Sequence, residues 1–144
     1  MNGMYKNFKS DPEAERTGII QDFGTFRVTL PRSGGANKSF QKTLERRSKK
    51  YERALATGTM DDEVAEKIMQ ETFCDTVVMN WEVLVDGEWT QGIEGPDGEL
   101  LEYNKVNLML TFKNLEDLYD DLRVQAGKGS LYRESLREEA AKNS

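Results

Sequence analysis

The chain has 144 residues, 37% hydrophobic and 32% charged, with no histidine, one cysteine and a formal net charge of −6. That length suits one domain. Without imidazole every Ser/His/Asp or Cys/His triad is excluded, and the lone Cys74 can close neither an intrachain disulfide nor a tetrahedral zinc site.

Residues 1–18 are polar, broken up by Ser10 to Glu13 and by Gly18, and read as a flexible N-terminal arm. Phe26, Val28 and Leu30 then alternate with Arg27 and Thr29, the period of a half-buried strand. Asp22, Phe23 and Gly24 supply a turn for a short hairpin, and Pro31 ends the ladder because it has no N–H to donate. A helix is predicted over 37–57, with Asn37 as N-cap, Phe40, Leu44, Tyr51 and Leu55 on one face, and Gly58 at its end. Glu45 and Lys49 form an i,i+4 pair on it, worth about 0.2–0.5 kcal/mol.

A second helix is predicted to start at Thr59 and to carry Ala65, Ile68, Met69, Phe73, Val77, Trp81 and Leu84 as an unbroken stripe. A strand over 76–85 competes with its second half; the stripe favours helix, ended by Asp86 and Gly87. Gly95 to Gly98 (GPDG) is a turn signal, with a small hairpin around it near 88–103. Asn104 caps a helix bearing Val106, Leu108, Met109, Leu110 and Phe112; Asn114 caps another bearing Leu115, Leu118, Tyr119, Leu122 and Ala126. Gly127 to Gly129 breaks the chain, Ser130 opens a last helix, and the end past about Arg137 has little to bury and should fray. The fold expected is mainly α: a small helical domain over 19–133 with an αα-hairpin, a short N-terminal β element and a small hairpin near 88–103, followed by a charged tail over 134–144.

Charge is unevenly placed. Residues 1–58 carry 12 basic and 6 acidic side chains; residues 59–144 carry 8 and 20. The basic excess lies on the helix predicted over 37–57, in Lys38, Lys42, Arg46, Arg47, Lys49, Lys50 and Arg53. Three readings stay open for it: a solvated face paired with the acidic half, a docking face for an acidic partner, and a nucleic-acid footprint. The overall acidity and the sparse aromatics, Phe40 and Tyr51 alone, disfavour the last. Glu116, Asp117, Asp120 and Asp121 recur at i,i+4 on the acidic side, without the glycine and oxygen spacing of an EF-hand loop. They read as a solvated face or an acidic docking surface, with a carboxylate-and-metal enzyme as the remaining alternative. Trp81 continues the stripe as a core anchor, whereas Trp89, in a turn-rich stretch, divides between core and interface. The candidate partner-binding residues are Lys42, Arg46, Lys49, Arg53, Met69, Trp89, Asp117 and Asp121. No catalytic, cofactor or metal residue is expected. No run of about 18 apolar residues occurs, so no membrane partner is expected either.

Three blocks carry a family resemblance: Phe26–Phe40 (FRVTLPRSGGANKSF); Gly58–Val64 (GTMDDEV) leading to Asp75–Glu82 (DTVVMNWE); and Asn114–Leu122 (NLEDLYDDL) followed by a short helix near Ser130–Arg133. In this order and spacing, over residues 24–133, the chain resembles the tail assembly chaperones of tailed bacteriophages. The resemblance implies a non-enzymatic protein of the host cytoplasm, absent from the mature virion. It would hold the long helical tape measure protein soluble and help bring tail tube subunits onto it. It also implies that a longer frameshifted product can share this domain. Met69, Met79 and Met109 would offer such a client an adaptable apolar surface, or else fill core gaps. The turn-rich stretch Asp86–Glu102 departs from the family pattern, where the chain runs more simply into the next helix. A structural virion component, such as a head–tail joining or tail completion protein, is the alternative, and self-association stays open.

Overall fold

The alternation at Phe26, Val28 and Leu30 builds what it predicts. In the computed structural model, which describes the backbone of residues 3–142 and the side chains of residues 3–138, β1 (Ile19–Asp22) and β2 (Phe26–Leu30) form an antiparallel hairpin. Val28 and Leu30 are buried and Pro31 ends the strand. The protein is mainly helical, as expected, but its sheet is larger than one N-terminal hairpin. β3 (Asn80–Val85) pairs with β2, and β4 (Glu88–Gln91) pairs with β3, in the order β1-β2-β3-β4.

That sheet corrects the second predicted helix. Helix α5 runs only from Asp62 to Thr76. Burial shows why the helical stripe misleads: Trp81 and Val83 are buried while Leu84 is exposed, a period of two. β2 has a free edge, and the Met79 amide donating to the Thr29 carbonyl starts the pairing that captures it. The β-branched pair Val77 and Val78, weak helix formers, sits at the break. Asp86 and Gly87 then do not end a helix; they turn β3 into β4. Both have positive φ, 49° and 80°, as the tight two-residue hairpin turn requires. A second hairpin, β5 (Ile93–Glu94) with β6 (Leu100–Leu101), surrounds the GPDG turn; it lies within the span expected, but Glu88–Gln91 belongs to the larger sheet.

The first predicted helix is α3 (Lys38–Ser48) and α4 (Glu52–Thr57), separated by a 3-10 turn at Lys49–Tyr51. Nothing in the sequence pattern marks that interruption. Asn37 holds the N-cap position without capping; its amide Nδ2 donates instead to the Arg32 and Thr76 carbonyls. Gly58 adopts the left-handed C-cap expected of it, and Asp61, not Thr59, caps α5 by accepting from the Glu63 amide. Arg47 ties α3 back to Thr72 and Asp75 of α5, completing the αα-hairpin. Glu45 pairs with Gln41 rather than with Lys49.

Asn104 caps α6 (Lys105–Asn114) by accepting from the Asn107 amide, and α7 (Glu116–Gly127) follows with Leu115, not Asn114, at its N-cap. Helices α5, α6 and α7 cover one face of the sheet. Their Phe73, Phe112, Tyr119 and Leu122 pack against Val28, Trp81 and Val83 in one core. Phe73, Phe112 and Tyr119 meet at centroid distances of 5.1–6.1 Å, close to the edge-on and tilted geometries aromatic rings prefer.

Where the sequence predicts a flexible arm, the structure has α1 (Gly3–Phe8) and α2 (Pro12–Thr17). Ala14 and Glu15 of α2 are buried, and Asp11 caps that helix. The Tyr132 hydroxyl donates to the Leu30 carbonyl at 2.8 Å, and the Asp11 amide to the Tyr132 carbonyl, so both ends of the chain close on β2. A 3-10 turn at Gly129–Tyr132 precedes α8 (Glu134–Lys142), which is helical where fraying is expected. The outermost parts of the expected arm (1–2) and tail (143–144), and the side chains of residues 139–142, lie outside the described residues.

Candidate functional site

Helix α6 has apolar residues on all sides, more than one buried face can use. Leu108 and Phe112, at i and i+4, fill the core. Val106 and Leu110, also at i and i+4, point the other way and are 76% and 46% exposed. Because α7 folds back beside α6 and α5 runs past both, these side chains border an open groove of about 1060 Å³. Val106, Met109 and Leu110 give it an apolar wall, and Phe112 and Tyr119 lie beneath. Its rim is charged with both signs: Glu63, Glu66, Glu116 and Asp120 against Lys67, Lys113 and Arg123. Arg123 bridges to Glu66 at 3.8 Å and lies over the Tyr119 ring, tying α7 to α5. The Tyr119 hydroxyl is buried without a hydrogen-bond partner among the described residues, and burial pushes its ionisation upward.

Little reactive chemistry lies near the groove. Cys74, next to Met109, has its thiol pushed up to about 12, first by burial and then by the neighbouring Asp75 charge, so it stays protonated and unreactive. Burial alone would raise the Asp75 carboxyl. Hydrogen bonds from Lys105 and Arg47 outweigh it and hold that carboxyl below its ordinary value. Among the described residues no group of three or more His, Cys, Asp or Glu side chains could hold a metal ion.

Of the methionines singled out from the sequence, Met109 lines this groove; the candidate partner-binding residues do not converge on it. Lys42, Arg46 and Lys49 line a separate hollow of about 510 Å³ on α3 and α4, with Arg53 exposed further along α4. Met69 is half-buried on α5. Trp89 lies on the sheet face away from the helices, opposite Leu84, with the Arg27 guanidinium 4.4 Å over its ring and Arg27 bound to Glu82. Asp117 and Asp121 are exposed on α7 but lie outside the groove, whereas Glu116 and Asp120 border it. Sequence reasoning passes over Val106 and Leu110, although the signal is present: KVNLMLTFKN is apolar on both sides of a ten-residue helix.

A family model described as YdaY prophage protein matches residues 35–143, which includes α3 to α7 and the strands β3 to β6 but not β1 and β2. No curated protein and no solved structure matches the chain.

Proposed function

Because the chain belongs to the YdaY prophage protein family, we propose that it is a phage morphogenesis factor of the tail assembly chaperone type. It binds the tape measure protein reversibly in the host cytoplasm, keeps it soluble, helps bring tail tube subunits to it, and transforms no substrate. The observation that carries this reading is the open groove beside α6. Exposed Val106 and Leu110 stand one helical turn apart above a hydrophobic floor. An amphipathic client helix would lay its apolar stripe there, in the helix-in-groove mode. The mixed charges on the rim would pair with the polar flanks of such a helix and fix its register. A tape measure protein is a long helical chain whose apolar stripes lack partners until the tail forms, so its chemistry fits this surface.

The reading is tested by co-expressing the full chain with a tape measure protein from the same phage. The soluble yield of the client should rise, and the two should co-purify. Leu110→Asp, which places a charge on an already exposed side chain, should abolish both effects without lowering the melting temperature. An unchanged client yield with no co-purification rejects the proposal. Proteomics of purified particles addresses the competing role as a head–tail joining or tail completion protein: a chaperone is absent from them, whereas a connector is present in a symmetric copy number.

A further inference from the structure

Arg46 and Lys49 also border a larger hollow, on the side where α3 packs against α5. It has a volume of about 750 Å³ and is bounded by the 3-10 turn at Lys49–Tyr51. Half-buried Tyr51, Val64 and Ile68 give it an apolar lining. Five cations line the same hollow against one carboxylate, Glu71. That carboxylate lies 3.9 Å from the Lys105 ammonium, and one of the five cations, Arg47, is taken by Asp75. Among the described residues the other four, Arg46, Lys49, Lys50 and Lys67, have no carboxylate within 4.0 Å. Like charges gathered round an apolar surface repel one another, and an incoming anion relieves that repulsion. The Lys50 ammonium already lies 5.2 Å from the centroid of the Tyr51 ring.

We propose that this hollow takes an acidic peptide segment of a partner protein, its carboxylates meeting Arg46, Lys49, Lys50 and Lys67 while an apolar side chain between them rests on Tyr51, Val64 and Ile68. Charge complementarity selects the carboxylates, and the half-buried lining selects the apolar side chain. A nucleic acid matches only the charge. Its phosphates would leave Val64 and Ile68 uncovered, and its bases stack on aromatic rings, of which the hollow offers one. The chain's net charge of −6 does not prevent the contact. At physiological salt the Debye length is about 8 Å, so distant carboxylates are largely screened while directly opposed side chains still attract. The hollow is separate from the groove beside α6. Val64, Ile68 and Glu71 of α5 face the hollow, whereas Glu63, Glu66 and Gln70 face the groove, on a neighbouring side of the same helix. Lys67 lies between and borders both. Filling one therefore does not require filling the other.

Fluorescence anisotropy on the full chain tests it, with a labelled peptide of Glu-Glu-Leu repeats as the probe. The peptide should bind at about 0.1 M salt and lose affinity about tenfold or more at about 1 M, where the Debye length is near 3 Å. Glutamine in place of its glutamates should abolish binding, and alanine in place of its leucines should weaken binding about tenfold. Lys49→Glu with Lys50→Glu should weaken binding of the parent peptide about tenfold or more. Both side chains are exposed, so this double variant should keep its fold. Arg16→Glu with Lys128→Glu makes the same change in net charge at exposed residues outside the hollow, and should leave the affinity within about twofold. Absence of peptide binding, indifference to salt or to the peptide's leucines, or equal losses in the two double variants overturns the proposal. So does a single-stranded thymidine oligonucleotide that displaces the peptide and binds more tightly, or peptide binding that falls as the protein is concentrated, the mark of a second copy already in the hollow.

Discussion

Glu15 and Arg32 show how much a single pair can hold. The Glu15 carboxylate is 6% exposed and bonds the Arg32 guanidinium, which is 27% exposed. Removing the partner of a buried charge is costly because the charge left behind has lost its water. Arg32→Met should therefore lower unfolding free energy by about 3 kcal/mol or more. Glu15→Gln should cost less, since the arginine left behind can still reach solvent; urea titration of both variants checks the order. At Asp75 the consequence is a pH dependence. Its carboxyl is lower in the folded protein than the ordinary 3.8, so the stability it contributes is complete above that value and is lost as pH falls through the folded-state value. Asp75→Asn should be less stable than the wild type at neutral pH and should show a shallower loss in acid, read from urea midpoints at both. Cys74 should resist a thiol reagent at mildly alkaline pH in the native protein and react fully in denaturant, because burial holds it protonated.

Elements were legible where one face alone decides them. The strand over Phe26–Leu30, the glycine end of the first long helix, the Asn104 cap and the stripe of α7 all follow from period and capping chemistry. Residues 77–85 were misread because Trp81 and Leu84 fit a helical stripe and Trp81 and Val83 fit a strand equally well. Pairing with the free edge of β2, a contact 55 residues away between Arg27 and Glu82, decided between them. The Asp86-Gly87 dipeptide, flanked by alternating apolar residues, was the local clue to the hairpin. Gly87→Val should cost about 1–2 kcal/mol, the penalty for a branched side chain in left-handed backbone, seen as a lower urea midpoint. The groove was half legible: the apolar residues of α6 were noted, but which of them face outward depends on α5 and α7. The arm was missed because its burial rests on Ala14 and Glu15, which carry no apolar pattern.

At the scale of the whole molecule, the opposition between a basic first part and an acidic remainder survives folding. Arg47 alone among the cations of α3 and α4 joins a carboxylate among the described residues, so the reading of that helix as an internally paired face holds only at one residue. What remains is a molecule with opposite charge on two sides of α5 and an apolar groove beside α6. Those surfaces suit partner binding, and the groove is where the proposed client helix must lie. The most direct test places a photo-crosslinking amino acid at Val106, or at Ile20 on the sheet face away from the helices, and irradiates cells co-expressing the full chain with the proposed client, a tape measure protein from the same phage. The account predicts a crosslink to the client from Val106 and none from Ile20; capture from Ile20 alone, or from neither position while the two proteins co-purify, would contradict it.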